Sequence, residues 1–141
     1  MTAAPAVATA MTFVWLGMVL AISFLEAPLK FRAPGVTIRI GLGIGRLVFR
    51  ALNTIESVLA VVLIIAITVA DVPARIVIAA LVAVGALAAQ LFVVRPRLTK
   101  RSDRILAGEG APRSRAHYAY IALEVVKVLA LLTTGVALLA T

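Results

Sequence analysis

Cysteine is absent from this 141-residue chain, which excludes disulfides, thiolate metal sites and cysteine nucleophiles. Charge is scarce: Asp, Glu, Lys and Arg together make up 14% of the residues, where a soluble domain carries about 25%. Histidine occurs once, at His117, so a metal centre would need carboxylates around a single imidazole. The only methionines, Met1, Met11 and Met18, make no methionine-rich copper track. The sequence contains no GxSxG, HExxH, Walker or GxGxxG pattern, and with them goes the motif-level case for an enzyme. No catalytic residue, metal or cofactor is assigned.

What is present is hydrocarbon. Hydrophobic residues make up 63% of the chain, and the mean hydropathy is +1.13. Four apolar segments stand out, at about 7–26, 47–70, 74–95 and 116–139. Each has the roughly 20 residues that a helix needs to cross about 30 Å of lipid. The first lacks a basic n-region and is too long for a signal-peptide core, so a retained helix is expected, ended by Pro28. Asp71, Val72 and Pro73 make a short turn, so the second and third segments should form an antiparallel hairpin. Ala79, Ala80, Ala83 and Gly85 make the third a small-residue helix suited to close packing.

The net charge of +8 would suggest nucleic acid in a soluble protein. Here the basic residues cluster between the apolar segments, and no groove-reading module accompanies them. Nucleic acid is therefore not an expected partner; the bilayer is. Lys30, Arg32, Arg39, Arg46 and Arg50 fall in or beside connection 27–46. Arg95, Arg97, Lys100, Arg101, Arg104, Arg113 and Arg115 fall in or beside connection 96–115, against Asp103 and Glu109. The positive-inside rule puts both connections in the cytoplasm. The expected fold is all-α: one domain, a polytopic membrane protein, a four-helix up-and-down bundle with both termini outside the inner membrane. Residues 37–49 read either as an interfacial helix or as an extension of the next span. Arg97 to Ala107 reads as a short helix ended by Gly108. Gly41, Gly43 and Gly45 read as a hinge or as a close helix contact.

The informative residues are the polar ones inside lipid. Glu124 and Lys127 lie within the fourth span, where a charge at a helix centre costs about 2.5–3.5 kcal/mol. Helical spacing puts His117, Tyr120, Glu124 and Lys127 on one face. On the second span Arg46, Arg50, Asn53 and Ser57 share a face, with Glu56 at its margin. Glu26 and Gln90 stand near the same ends of the first and third spans. All of these fall in the half nearer the basic connections, which implies a polar vestibule open to the cytoplasm. Glu56, Glu124 and Lys127 are the expected binding site for a solute or ion, supported by Asn53, Gln90 and His117. Arg46 and Arg50 would make its mouth attractive to anions, with Glu26 and Tyr120 beside it. Shared depth on oppositely running helices pairs Lys127 with Glu56 as well as with Glu124.

Each signal has a plainer reading. The charges read as an ion, proton or solute site, or as a buried pair that fixes helix register. His117 reads as a proton carrier, a haem or metal ligand, or an interfacial residue at a helix start. Trp15, Tyr118 and Tyr120 could stack a ligand or anchor the interface. The leading functional reading is a membrane protein that binds or transports a small polar solute, ion or proton. As four helices are few for alternating access, it would act as a homo-oligomer. The alternative is a non-catalytic subunit or scaffold packed against a membrane-protein partner. A lipid-modifying enzyme using Arg46, Arg50 and Glu56 ranks third.

The runs WLGMVLAISFLEAPLKF and GLGIGRLVFRALNTIE, the basic RPRL after the third segment, and AHYAYIALEVVK opening the fourth are similar to a known group. They resemble small bacterial four-helix membrane proteins of unknown function related to eukaryotic transmembrane protein 205. The matching positions are Trp15, Gly17, Phe49 and His117. The resemblance implies a four-helix membrane fold. Because the eukaryotic relatives are associated with drug and metal-drug export, it also implies a transport-like role.

Overall fold

The computed structural model describes residues 1–108 and 115–141, so Glu109 and Arg113 lie outside the described residues. The fold is all-α. Four helices, α1 (Ala3–Arg32), α2 (Ile38–Ala70), α3 (Ala74–Leu106) and α4 (Arg115–Leu139), are each long and apolar enough to cross a membrane. The described residues contain no strand.

α1 packs against α2 and α4, and α3 packs closely against α4; α2 and α3, although joined by a short turn, meet along a looser seam. Trp15, Leu63, Ile76, Leu131 and Leu138 are fully buried at the centre. Ala8, Ala80 and Ala83 are buried among them, and such small side chains let backbones approach where no hydrophobic effect drives helix association. Gly135 serves the same end: a Cβ there would lie 2.6 Å from the Phe13 ring on α1. Val58, Val61, Ile65 and Val69 face outward on α2, as lipid contact requires. Asp71 closes α2 in the left-handed conformation, φ 52°, and Pro73 leads into α3.

The helices run further towards the basic end than the hydropathy pattern predicts. Pro28 does not end α1, which continues to Arg32. The reason is a π-helical turn over Leu20–Glu26, in which the Ala27 N–H bonds to the carbonyl of Ile22, five residues back. Proline normally breaks a helix because its ring strikes the carbonyl four residues earlier. For Pro28 that residue is Phe24, inside the widened turn. α3 repeats the arrangement. A π turn spans Gln90–Val94, Arg95 N–H reaches the carbonyl of Gln90, and Pro96 follows with Phe92 four residues before it.

α3 therefore passes through Pro96 without a break. Arg97–Ala107 is no separate helix but its continuation, which stops beside Gly108 at φ 90°. Residues 37–49 prove to be the extension of α2. Thr37 caps it, its hydroxyl accepting the Ile40 N–H at 3.2 Å. Of the connection expected over 27–46, only residues 33–37 lie outside helices. Of the three glycines there, Gly41 is a close contact, lying directly beneath the Phe31 ring with no room for a Cβ, whereas Gly43 faces open space.

Candidate functional site

The two π turns meet the charges of α4. Lys127 is fully buried and projects its ammonium across the bundle to α2. There it donates to both oxygens of Glu56, at 3.0 and 2.9 Å. It also donates to Gln90 Oε1 at 2.8 Å and lies 2.6 Å from Glu124 Oε1 on its own helix. Gln90, the first residue of the α3 π turn, donates Nε2 to Glu124 Oε1 at 2.6 Å and, more weakly, to the Tyr120 carbonyl at 3.4 Å. Ser23, within the α1 π turn, donates its hydroxyl to Glu124 Oε2. Glu56, Gln90 and Lys127 have no exposed surface and Glu124 has 2%. Such a group persists in low dielectric only when its donors and acceptors match. They do: every side-chain polar atom of the four has a partner. Two carboxylates face one ammonium, so the cluster carries a formal charge of −1 when all three are ionised. Trp15 neighbours Glu56 without closing a hydrogen bond of normal geometry.

Beside this cluster, towards the basic end, lies a cavity of about 990 Å³ lined by all four helices. Ser23 and Glu124 form its floor; Asn53, Ser57, Tyr120 and His117 line its walls; Lys30, Arg46, Arg50, Arg95 and Arg101 line the part nearest the basic end. The arginine spacing on α2 does what the sequence predicts, with Arg46, Arg50, Asn53 and Ser57 all presented to the cavity. Phe49 organises the cationic part. Arg95 lies 5.7 Å from its ring centroid and Lys30 Nζ 5.6 Å, both within cation–π range, and Tyr120 meets it edge-on at 5.9 Å. Arg46 is engaged with Asp103 at 2.7 Å.

Of the residues read from sequence, the structure brings Glu56, Gln90, Glu124 and Lys127 into one cluster, and Asn53, Tyr120, His117, Arg46 and Arg50 into the adjoining cavity. Glu26 joins neither, and its nearest cation is Lys30 of the same helix at 3.8 Å. His117 lies edge-on to Tyr118. Among the described residues no three of His, Asp and Glu converge as metal ligands. Ser23, Lys30 and Arg95 were not selected from sequence as site residues, and Phe49 entered only through the resemblance. For Ser23 the available signal was the repeated Phe-x-x-x-Pro spacing, Phe24/Pro28 and Phe92/Pro96, which accompanies both π turns.

Fold and site together define a multi-pass, four-helix membrane protein with a buried ionisable cluster under a cationic cavity. No family model, curated protein or solved structure matches the chain.

Proposed function

We propose that this protein binds and moves a small polar solute, ion or proton through the cavity, which opens to the cytoplasm from an inner membrane. The orientation rests on the clustering of Lys and Arg at one end of the bundle, which also leaves both termini outside. The observation that supports the reading best is the position of Glu124. It lines the cavity and at the same time belongs to the dry cluster with Lys127, Gln90 and Ser23. It is thus the point where something arriving in the cavity can exchange a proton or an ion contact with the bundle interior. Ionisable groups at membrane depth mark solute paths and proton relays, and π turns recur at functional sites. The resemblance to the transmembrane protein 205 group points the same way. A pathway through a homo-oligomer is the expected form, given only four helices per chain.

The test is flux in proteoliposomes across a panel of ions, protons and small organic solutes, with the parent compared to Glu124→Gln. Gln keeps the size and an acceptor but not the charge. Flux should fall at least tenfold in protein that keeps its helical content. No flux in the parent for any solute sinks the reading. A second reading, a scaffold subunit for another membrane protein, has its own support: the cluster satisfies itself within one chain, as a register-fixing device would. It predicts no flux in the parent, with a lowered melting temperature as the only effect of Glu124→Gln.

A further inference from the structure

The cavity does not match the cluster beneath it in charge or in hydrogen bonding, and the mismatch describes a ligand. Asn53 and Tyr120 line the cavity, and Asn53 Oδ1 and the Tyr120 hydroxyl are buried with no hydrogen-bond partner among the described residues, on residues only 7% and 8% exposed. Buried polar groups in native proteins are almost always satisfied, and exceptions call for an explanation. Close by, the Lys30 side chain is 10% exposed. Its ammonium rests against the Phe31 and Phe49 rings, 5.6 Å from each centroid; its ion pair with Glu26 is long, at 3.8 Å, and it forms no hydrogen bond with any described residue. Arg95 lies 5.7 Å from the Phe49 ring centroid; neither it nor Arg50 is ion-paired to a described residue. The one acidic group among the described lining residues, Glu124, is already taken by Lys127, Gln90 and Ser23. The walls between these groups are apolar, with Phe24, Phe31 and Leu47 also open to the surroundings. The volume suits a ligand of small-molecule size.

From this we infer that the cavity is a binding site for an anionic amphiphile: a phosphate or carboxylate head on an apolar body. The head lies among Lys30, Arg50 and Arg95, whose donors it accepts from several sides. A hydroxyl or N–H beside the head donates to Asn53 Oδ1, and Tyr120 donates its O–H to a head-group oxygen. The apolar body runs along Phe31, Phe49 and Leu47. A cation is repelled by this ring, and a bare inorganic anion leaves the apolar wall unfilled. The inference deepens the solute-moving reading by naming the class of solute, and it rests on that reading only for movement, not for binding.

The probe is hexyl phosphate, titrated by calorimetry into the full-length protein in phosphatidylcholine nanodiscs. Inorganic phosphate, hexyl glucoside and hexyltrimethylammonium serve as comparison ligands. Saturable binding of hexyl phosphate is expected, at least tenfold tighter than inorganic phosphate, with no binding of the cation. Arg50→Gln, on an exposed side chain, should weaken it about tenfold or more. Arg75→Gln, at the opposite end of α3, should leave it unchanged. Equal loss in both variants would mean general surface attraction and overturn the proposal, as would equal binding of hexyl glucoside or the absence of saturable binding. Repeating the titration in phosphatidylglycerol nanodiscs identifies the source of the head group. Blocked binding points to a membrane lipid and undiminished binding to a soluble amphiphile, each with the same site chemistry. Hexyl phosphate bound by a parent that moves nothing would retain this inference and remove only the transport reading. Flux of other solutes without hexyl phosphate binding would do the reverse.

Discussion

Around Lys127 each side-chain donor and acceptor of Glu56, Gln90 and Glu124 finds a partner inside the bundle. Alongside, Asn53 Oδ1 and the Tyr120 hydroxyl are also buried and find none among the described residues. The same four helices build both regions, so the difference is not one of fold quality. It separates polar residues that hold the helices together from polar residues kept free at a cost to stability. Unsatisfied buried groups cost roughly 1–3 kcal/mol each, and such costs persist where function needs them.

Substitutions should pull the two regions apart. The largest effect is expected from Lys127→Met, which strands two buried carboxylates against each other. Removing one partner of a buried pair costs about 3–5 kcal/mol. Thermal unfolding in a neutral detergent should show a large drop in melting temperature, partly recovered when Glu56→Gln is added. A drop no larger than that of a surface variant would mean the pair contributes little. Next comes Gln90→Leu, which removes the amide bridging Lys127 to Glu124 while preserving bulk. A loss of about 1–3 kcal/mol is expected, read in the same melts. The smallest change in stability is expected in the cavity wall. Asn53→Leu and Tyr120→Phe each delete an unpartnered polar group, so their melting should match or exceed that of the parent, while hexyl phosphate binding weakens about tenfold. If these two melt as poorly as Gln90→Leu, both regions are structural and the distinction collapses.

Much of the cluster is legible in the sequence because the cost of charge in lipid leaves few ways to read Glu56, Glu124 and Lys127. Helical spacing alone puts Tyr120, Glu124 and Lys127 on one face, and it orders Arg46, Arg50, Asn53 and Ser57 along the cavity. The four spans are legible for the same reason, as nothing but an apolar helix tolerates that environment. What hydropathy misses lies at the basic end, where the helices leave the lipid. There the extensions to Arg32, to Leu106 and back to Ile38 are carried by polar and glycine-containing sequence that gives no apolar periodicity. Proline misleads for a local reason. Pro28 reads as a stop by its own chemistry, and the wider turn before it lets the helix through, as the one before Pro96 does in α3. Ser23 passes as one hydroxyl in an apolar run, since its partner Glu124 lies more than a hundred positions later.

The π turn in α1 also changes the phase of everything after it. One residue in an α-helix is worth about 100° of rotation, and Lys30 stands roughly three turns beyond Val19. In an unbroken helix those two would share a face, and Lys30 would be aimed with Val19 into the hydrocarbon centre. The widened turn rotates the last part of α1 off that face, and the ammonium comes to rest over Phe49 instead. The helix therefore holds two azimuthal frames, one set by the core and one by the cavity. Losing or gaining a single residue between Leu20 and Glu26 would swing the frame of Lys30 and Phe31 relative to that of Trp15 and Val19 while leaving the length of the span almost unaltered.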